Sequence, residues 1–182
     1  MTDTSALTSA VCRTVEEYLT ANDIEFEQPD DHTFVAVLPG EHRLRTTVSI
    51  LVGAYSVSIN AFIIRNPDEN HAEVYRWLLK RNRRMYAVSY AIDHLGDIYL
   101  VGKVALKAID DDELDRLLGT ILENSDGAFD ALLELGFSTA IKREWQWRLS
   151  RGESTQNLAA FTHLMERTAD NAQNPAGDAS DE

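Results

Sequence analysis

Apolar and polar residues alternate with a period of two through much of the chain, which is the pattern of strands buried on one face. The alternation is clearest over residues 44–52 and 55–63, where Val, Ile and Leu are separated by Ser, Thr, Asn or Arg. Turn-forming residues bound each such run. The pattern predicts six strands, over 24–28, 33–38, 44–52, 55–63, 87–93 and 97–106.

Short turns join two pairs of these strands into hairpins. Gly53 and Ala54 separate the third and fourth strands, and a glycine at that position predicts a two-residue type II′ turn. Gly96 lies between the last two strands, where we expect it to adopt a positive φ.

Apolar residues three or four positions apart predict helices in the remaining segments. An opening helix is expected over 5–22 and a second over 66–86. Asn66 is placed to cap the second helix, Pro67 suits its first position, and Glu69 follows the cap by three residues.

The longest apolar stripe occupies residues 110–135 and predicts one helix of about 26 residues. Asp110 would cap this helix, with Glu113 in the capping-box position, and Gly136 would end it. Two shorter helices are predicted after it, over 139–151 and 154–167.

The order of elements predicts an α+β fold, α-β-β-β-β-α-β-β-α, with helices packed on an antiparallel sheet. We expect this domain to span residues 1–136 and a C-terminal helical extension to span 137–168. Residues 169–182 contain four acids, no base and no aromatic residue, so this acidic tail is predicted to be disordered.

Three segments of the sequence carry a family resemblance: 77–82 in the second helix, 86–90 continuing to 96–100 in the last hairpin, and 114–136 in the long helix. Over about residues 5–136 the chain resembles the YbjN family through these segments, and the segment 142–149 resembles its actinobacterial branch. The resemblance implies a fold similar to that of type III secretion chaperones. It also implies a homodimer that binds protein segments and a label as a sensory transduction regulator, but no catalytic residues.

Composition restricts the classes of partner and the compartment. Seventeen Lys and Arg against thirty Asp and Glu leave a net charge of −13, which opposes general attraction to nucleic acid or anionic lipid. Cys12 is the single cysteine, so no intrachain disulfide or cysteine zinc cluster is possible. No secretory signal or bilayer-length apolar run occurs in the sequence, and we therefore expect a cytoplasmic protein.

The second predicted helix carries a basic stripe, defined as Arg76, Lys80, Arg83 and Arg84, with Trp77 at its margin. The spacing i, i+4, i+7, i+8 places the four cations on one side of the helix. The functional interpretation is a docking surface for an acidic protein segment or a phosphate. The alternative is an ordinary solvated face whose cations suit a helix C-terminus.

The charges around this stripe are segregated along the chain. No acid occurs from residue 74 to 92, whereas residues 14–41 contain eight acids and no Lys or Arg. One hypothesis is that the acidic segment and the basic stripe attract each other, either within the fold or across a dimer.

Trp147 and Asn82 are two further candidates, the first for an interface and the second for a structural role. Trp145 and Trp147 point to different sides of a helix, so both cannot face one core, and Trp147 is the candidate for an interface. Asn82 lies within the apolar face of the second helix, where its amide is expected to close backbone groups between the helix and the next strand. We therefore expect Asn82 to be structural.

No phosphate loop, nucleophile elbow or metal-binding motif occurs, and we expect neither a cofactor nor a metal. The sequence therefore favours a non-enzymatic protein-binding module, regulatory or chaperone-like, that forms a homodimer. The partner would bury an apolar segment on the sheet or under the long helix, or add a strand to a sheet edge.

One alternative is nucleic-acid binding through the basic helix 76–84 with Tyr86, Tyr90 and Tyr99 as stacking groups. Another is a small-molecule-binding protein or enzyme with an unrecognised site.

Overall fold

A six-stranded antiparallel sheet forms the centre of the computed structural model, which describes residues 2–165. The strand order is β1-β2-β3-β4-β6-β5, so β1 and β5 are the two edges. The strands are β1 (Glu25–Asp30), β2 (Thr33–Pro39), β3 (Arg45–Val52), β4 (Ser56–Ile64), β5 (Val88–Ile92) and β6 (Ile98–Ala105). All six predicted strands are confirmed.

Within residues 2–165, the sheet is accompanied by the helices α1 (Thr2–Ala21), α2 (His71–Asn82), α3 (Asp111–Asp126) and α4 (Phe129–Arg151). Short 3-10 helices occupy Leu106–Ala108 and Gln156–Phe161. The element order and the antiparallel sheet packed by helices confirm the predicted α+β fold.

Helices cover one face of the sheet, and the core lies between the two layers. Alternate residues of the central strands, such as Val48 and Ile59, are buried against apolar residues of α1 and α3, among them Val15 and Ile121. Each such aliphatic side chain contributes about 1.5 to 3 kcal/mol through burial. The residues between them, including Ser49, lie on the other face of the sheet.

The turn between β3 and β4 differs from the type II′ prediction, which is wrong. Residues 53–55 lie between β3 and β4, and Gly53 does not adopt a positive φ. The Gly53 N–H donates to the Ser56 carbonyl over 2.9 Å. The positive φ expected at Gly96 is confirmed, at 85°.

The bounds of α2 also differ from the predicted 66–86: it begins at His71 and ends at Asn82, so Arg83 and Arg84 of the basic stripe lie in the turn after the helix. The Asn66 N–H donates to Asp97 Oδ1 over 2.7 Å, and its side-chain amide donates to the Leu95 carbonyl over 2.9 Å. Asn66 therefore ties the end of β4 to the β5–β6 turn, a long-range contact that prevents it from acting as a helix cap.

Glu69 acts on a distant helix instead of capping α2. Its carboxylate accepts the Thr139 N–H at 2.7 Å, the Thr139 hydroxyl at 2.8 Å and the Ser138 hydroxyl at 3.1 Å. These donors lower the pKa of Glu69, chiefly the backbone N–H of Thr139. Glu69 thereby satisfies a backbone donor next to the bend in α4.

The single helix predicted over 110–135 is divided into α3 and α4, with a break at residues 127–128. A break is found next to the position where Gly136 was expected to end the helix: Phe137 has non-helical angles, and α4 bends there before it continues through the predicted helix 139–151. A Cβ at Gly136 would lie 2.8 Å from the Pro67 side chain, so the glycine permits this close approach. Gly152 ends α4 with a φ of 68°.

Two further helix predictions are corrected in part. Asp110 accepts the Glu113 N–H at 2.8 Å, as an N-cap does, but the Glu113 carboxylate does not return the contact and instead accepts the Tyr86 hydroxyl. In the stretch predicted as a helix over 154–167, the structure contains the 3-10 helix. The predicted disordered tail, 169–182, lies outside the described residues.

Candidate functional site

A groove of about 790 Å³ lies between the C-terminal end of α2 and the helix α3. Two kinds of side chain predominate in its lining, cations and aromatic or apolar groups. We call it the basic groove and define it by Trp77, Lys80, Arg81, Arg83, Arg84, Met85, Tyr86, Thr120, Glu123 and Asn124.

One wall of the basic groove is built on Trp77 and Arg81. The Arg81 guanidinium lies 4.8 Å from the centre of the Trp77 ring and donates to Asn124 Oδ1 over 3.1 Å. The Tyr90 hydroxyl donates to the Asn124 carbonyl over 2.6 Å, and burial raises the pKa of Tyr90 to about 12. These contacts fix Arg81 and Trp77 against α3.

The other wall rests on a buried carboxylate. Glu113 is 7% exposed and accepts the Tyr86 hydroxyl at 2.8 Å and an Arg116 N–H at 2.9 Å. The Arg116 guanidinium also lies 5.3 Å from the centre of the Tyr86 ring. Tyr86 is therefore held in a defined orientation, although 43% of it is exposed.

Three cations of the groove have no acidic partner. Within residues 2–165, Lys80, Arg83 and Arg84 form no ion pair, and Glu123 is the single acid among the groove residues. The Arg81 Nε is buried and makes no hydrogen bond to any described residue. A chain of net charge −13 therefore holds a local concentration of unpaired positive charge.

Asn82 has the structural role that was predicted for it. Its side-chain oxygen accepts the Tyr90 N–H at 2.8 Å, and its amide donates to the Tyr90 carbonyl over 3.2 Å. The amide thus forms, at the outer side of β5, both hydrogen bonds that an added strand would form there.

The structure brings most of the predicted site residues together. Trp77, Lys80, Arg83 and Arg84 line the groove, whereas Arg76 does not and forms an ion pair with Glu73. Trp147 lies apart from them on α4, 44% exposed, with the Arg151 guanidinium 5.0 Å from its ring centre.

Sequence reasoning did not place six residues in the groove: Arg81, Met85, Tyr86, Thr120, Glu123 and Asn124. Arg81 falls outside the basic stripe by helical spacing, but it follows Trp77 by four residues, which is a signal for contact along one helix. The α3 residues carry no such signal, because only tertiary packing places them opposite α2.

The hypothesis that the acidic segment 14–41 neutralises the stripe within the fold is wrong for the described residues. The one ion pair of that segment joins Glu25 to Arg45 over 3.3 Å. The segment includes β1 and β2 at one side of the sheet, whereas α2 leads into β5 at the opposite edge.

The three tyrosines proposed for stacking on nucleic acid do not form one surface. Tyr86 lines the groove, Tyr90 is 6% exposed within the core, and Tyr99 lies on the face of the sheet with Phe62, 5.4 Å between ring centres. The stacking constellation of the nucleic-acid alternative is therefore contradicted.

Other chemistry in the described residues is limited. No group of three metal-ligating side chains occurs within 2–165, and no helix in that range has the length and apolarity to cross a membrane. The Cys12 thiol lies 3.5 Å from His32 Nδ1, and burial, followed by the charge of Asp31, raises its pKa. A raised pKa disfavours the reactive thiolate.

Sequence comparison identifies relatives of this chain. Residues 12–134 match the model of the YbjN family, described as "Putative bacterial sensory transduction regulator". The "Uncharacterized protein Rv0487" of Mycobacterium tuberculosis is 58% identical over 139 residues, 76% of each chain. The "Uncharacterized protein ML2442" of Mycobacterium leprae is 48% identical over 174 residues, 93% of this chain and 91% of that protein.

Two solved structures have a similar fold. The crystal structure of the ExsC–ExsE complex matches with a TM-score of 0.52 and 18% identity, over 69% of this chain and 95% of that chain. The heterodimeric ExoU–SpcU complex of the type III secretion system of Pseudomonas aeruginosa matches with a TM-score of 0.50 and 18% identity, over 68% and 98%. At this identity, the similarity concerns the fold alone.

Proposed function

The chain belongs to the YbjN family, and on that premise we propose that it is a non-enzymatic protein-binding module that docks an acidic segment of its partner in the basic groove. The observation that carries this proposal is the presence of three unpaired cations beside an ordered tryptophan. The complexes among the structural neighbours are consistent with a protein partner.

Charge gives the groove its selectivity. Lys80, Arg83 and Arg84 lie on one rim and attract carboxylates, and Arg supplies paired N–H donors to a carboxylate. Electrostatic attraction of this kind acts mainly on the association rate and weakens as salt increases. Most of the remaining surface repels an acidic segment, because the whole chain is strongly negative.

The apolar side chains of the groove supply affinity that does not depend on charge. Trp77 and Met85 are partly buried and pack against the core while they also line the groove. A leucine or aromatic residue of the partner would bury apolar surface on them, at about 25 cal/mol per Å². We therefore infer that the preferred segment combines acids with apolar residues.

The test uses a short fluorescent peptide that alternates Glu with Leu as the probe. We expect the full chain to bind it and the triple variant Lys80→Gln, Arg83→Gln, Arg84→Gln to bind it about tenfold or more weakly, since each lost charge contributes up to about 1 kcal/mol. Fluorescence anisotropy at low and moderate salt measures both.

The matched control is the triple variant Arg13→Gln, Lys103→Gln, Lys107→Gln. These cations are also exposed and without ion pairs within residues 2–165, so the net charge changes equally but outside the groove. Equal loss of binding in both triple variants would overturn the proposal. Tighter groove-dependent binding of oligothymidylate than of the peptide would favour nucleic acid instead.

The homodimer and the cytoplasmic location stay predictions. Leu51 and Phe62, 46% and 39% exposed, lie on the face of the sheet that the described helices leave open, and they offer apolar area to a second copy. Multi-angle light scattering at two concentrations distinguishes monomer from dimer.

A further inference from the structure

We propose that the acidic tail of this same chain, residues 169–182, occupies the basic groove and competes with the partner. The inference rests on the proposed function in one respect: it takes the groove to be the surface that binds acidic segments. The tail contributes Asp170, Asp178, Asp181 and Glu182 and no base.

The charges of the tail and of the groove are complementary. Four cations and one acid line the groove, and four acids lie in the tail. Within residues 2–165 no acid forms an ion pair with a groove cation, neither those of α1 and β1 nor the acidic run 110–115 at the start of α3. The tail is an acidic segment of this sequence that lies outside those contacts.

The described part of the chain ends against α4, which packs on one of the two helices that form the groove. Phe161 is buried, and His163 lies 3.1 Å from Glu134 of α4, so the last described residues are held against α4. In turn, α4 packs on α2, whose C-terminal end forms one side of the groove. The two regions are therefore joined by directly packed elements.

The remaining chain is long enough to span this separation. Seventeen residues follow Met165, and an extended chain covers about 3.3 Å per residue, or about 56 Å in total. A folded unit of about 164 residues has a radius of gyration of about 15 Å, which corresponds to a diameter of about 40 Å.

Tethering makes such a weak contact effective. A short flexible linker gives an effective concentration in the millimolar range, so a tail whose intrinsic dissociation constant is several-fold below that concentration would occupy the groove most of the time. An external segment must displace the tail, and its apparent association constant is the intrinsic one multiplied by the fraction of grooves that are empty.

The experiment uses the full chain and a tail-neutral variant, Asp170→Asn, Asp178→Asn, Asp181→Asn, Glu182→Gln. We expect the variant to bind the Glu-Leu peptide about threefold to tenfold more tightly and to shift the NMR signal of the Trp77 indole N–H, with the Trp145 and Trp147 signals as internal references. In the wild type, added salt should move the Trp77 signal toward its position in the variant.

A variant with equal change in net charge serves as the control: Glu16→Gln, Glu17→Gln, Glu27→Gln, Asp31→Asn, all at exposed positions. A Trp77 shift or a gain in affinity of the same size in this control would overturn the tail proposal. So would an unchanged Trp77 signal in the tail-neutral variant.

The two proposals fail in different ways. If the groove proposal is wrong, the peptide does not bind in a groove-dependent manner, but the Trp77 signal still reports whether the tail is docked. If only the tail proposal is wrong, the wild type and the tail-neutral variant bind the peptide equally and the basic-groove triple variant still loses it.

Discussion

The two edges of the sheet differ in charge and in how their backbone groups are protected. At one edge, β1 carries Glu25 and Glu27, contains Pro29 and has an irregular register before Asp30. At the other edge, β5 carries no charged residue, and the Asn82 amide occupies both outward groups of Tyr90.

Both arrangements oppose the addition of a partner strand. Charges, proline and a bulge protect an exposed edge from pairing, and β1 has all three. At β5, the Asn82 side chain instead forms hydrogen bonds to the outward N–H and carbonyl of Tyr90, in the middle of the strand. The sequence-derived alternative of strand addition is therefore disfavoured at both edges, and a partner is left with surfaces made of side chains, of which the basic groove is one.

Among the substitutions that test this comparison, Asn82→Ala is expected to change stability most, because it leaves the Tyr90 N–H and carbonyl without their Asn82 partners. We expect a loss of about 1 to 3 kcal/mol in the free energy of unfolding, because a buried unpaired polar group bears its full desolvation cost. Chemical denaturation measures the loss, and hydrogen exchange at the Tyr90 amide should accelerate.

A control for that variant is Asn60→Ala, an exposed asparagine on the open face of the sheet. It should change stability by less than about 0.5 kcal/mol. If the two alanine variants are equally stable, the Asn82 amide does not protect the β5 edge.

Asp126→Asn tests a second place where a side chain binds backbone groups. At the β2–β3 loop the side chain is a charged carboxylate, whereas at β5 it is the neutral amide of Asn82. Asp126 Oδ1 accepts the N–H groups of His42 at 2.8 Å and Arg43 at 2.7 Å, which hold the β2–β3 loop. We expect the variant to lose about 1 kcal/mol at neutral pH, since hydrogen bonds to charged acceptors are stronger than those to neutral ones.

The same carboxylate predicts a pH dependence. Burial raises the pKa of Asp126, but the N–H donors of residues 41–43 outweigh it, so the net pKa is lowered. Asp126 therefore contributes fully to the free energy of unfolding above its unfolded-state pKa of about 3.9. This contribution is lost as pH falls through its lower folded-state pKa. Denaturation at pH 6 and pH 3 should show a smaller acid loss for Asp126→Asn than for the exposed control Asp31→Asn; equal losses would contradict this assignment.

The smallest expected effect comes from Ala87→Gly, just before β5. Ala87 has a φ of 54°, a left-handed conformation that is costly for any residue with a Cβ. Glycine should raise stability by about 0.5 to 1 kcal/mol after its own entropic cost. The matched variant Ala91→Gly, within β5, should lower stability; a destabilised Ala87→Gly would show that this φ is not a source of strain.

Local pattern was sufficient for the strands and for part of the groove. Val48, Ile50 and their alternating neighbours are buried as predicted, since strand residues two apart share a face. Lys80 lines the groove with Trp77 on α2, as helical spacing predicted, but Arg83 and Arg84 follow the last residue of α2 and line the groove from the turn after it.

Local pattern failed where a distant residue competes for the same hydrogen bond. Asn66 has the sequence context of a helix cap, but Asp97 binds its N–H, and α2 begins five residues later. Likewise, Glu113 stands where a capping box predicts a local partner, and Tyr86 supplies a distant one. The spacing of apolar residues does not indicate when a distant residue replaces a local hydrogen-bond partner.

Periodicity and charge, both properties of neighbouring residues, were enough to predict the antiparallel α+β fold and a positive helix in a negative chain, and the segments 77–82, 86–100 and 114–136 carried the YbjN resemblance. Tertiary structure alone decided that α3 would close a groove over that helix, that Arg76 would be left outside it and that Arg81 would be included. The physical reason is that a groove is formed by side chains from helices far apart in sequence, and the packing of the whole core determines which of them meet.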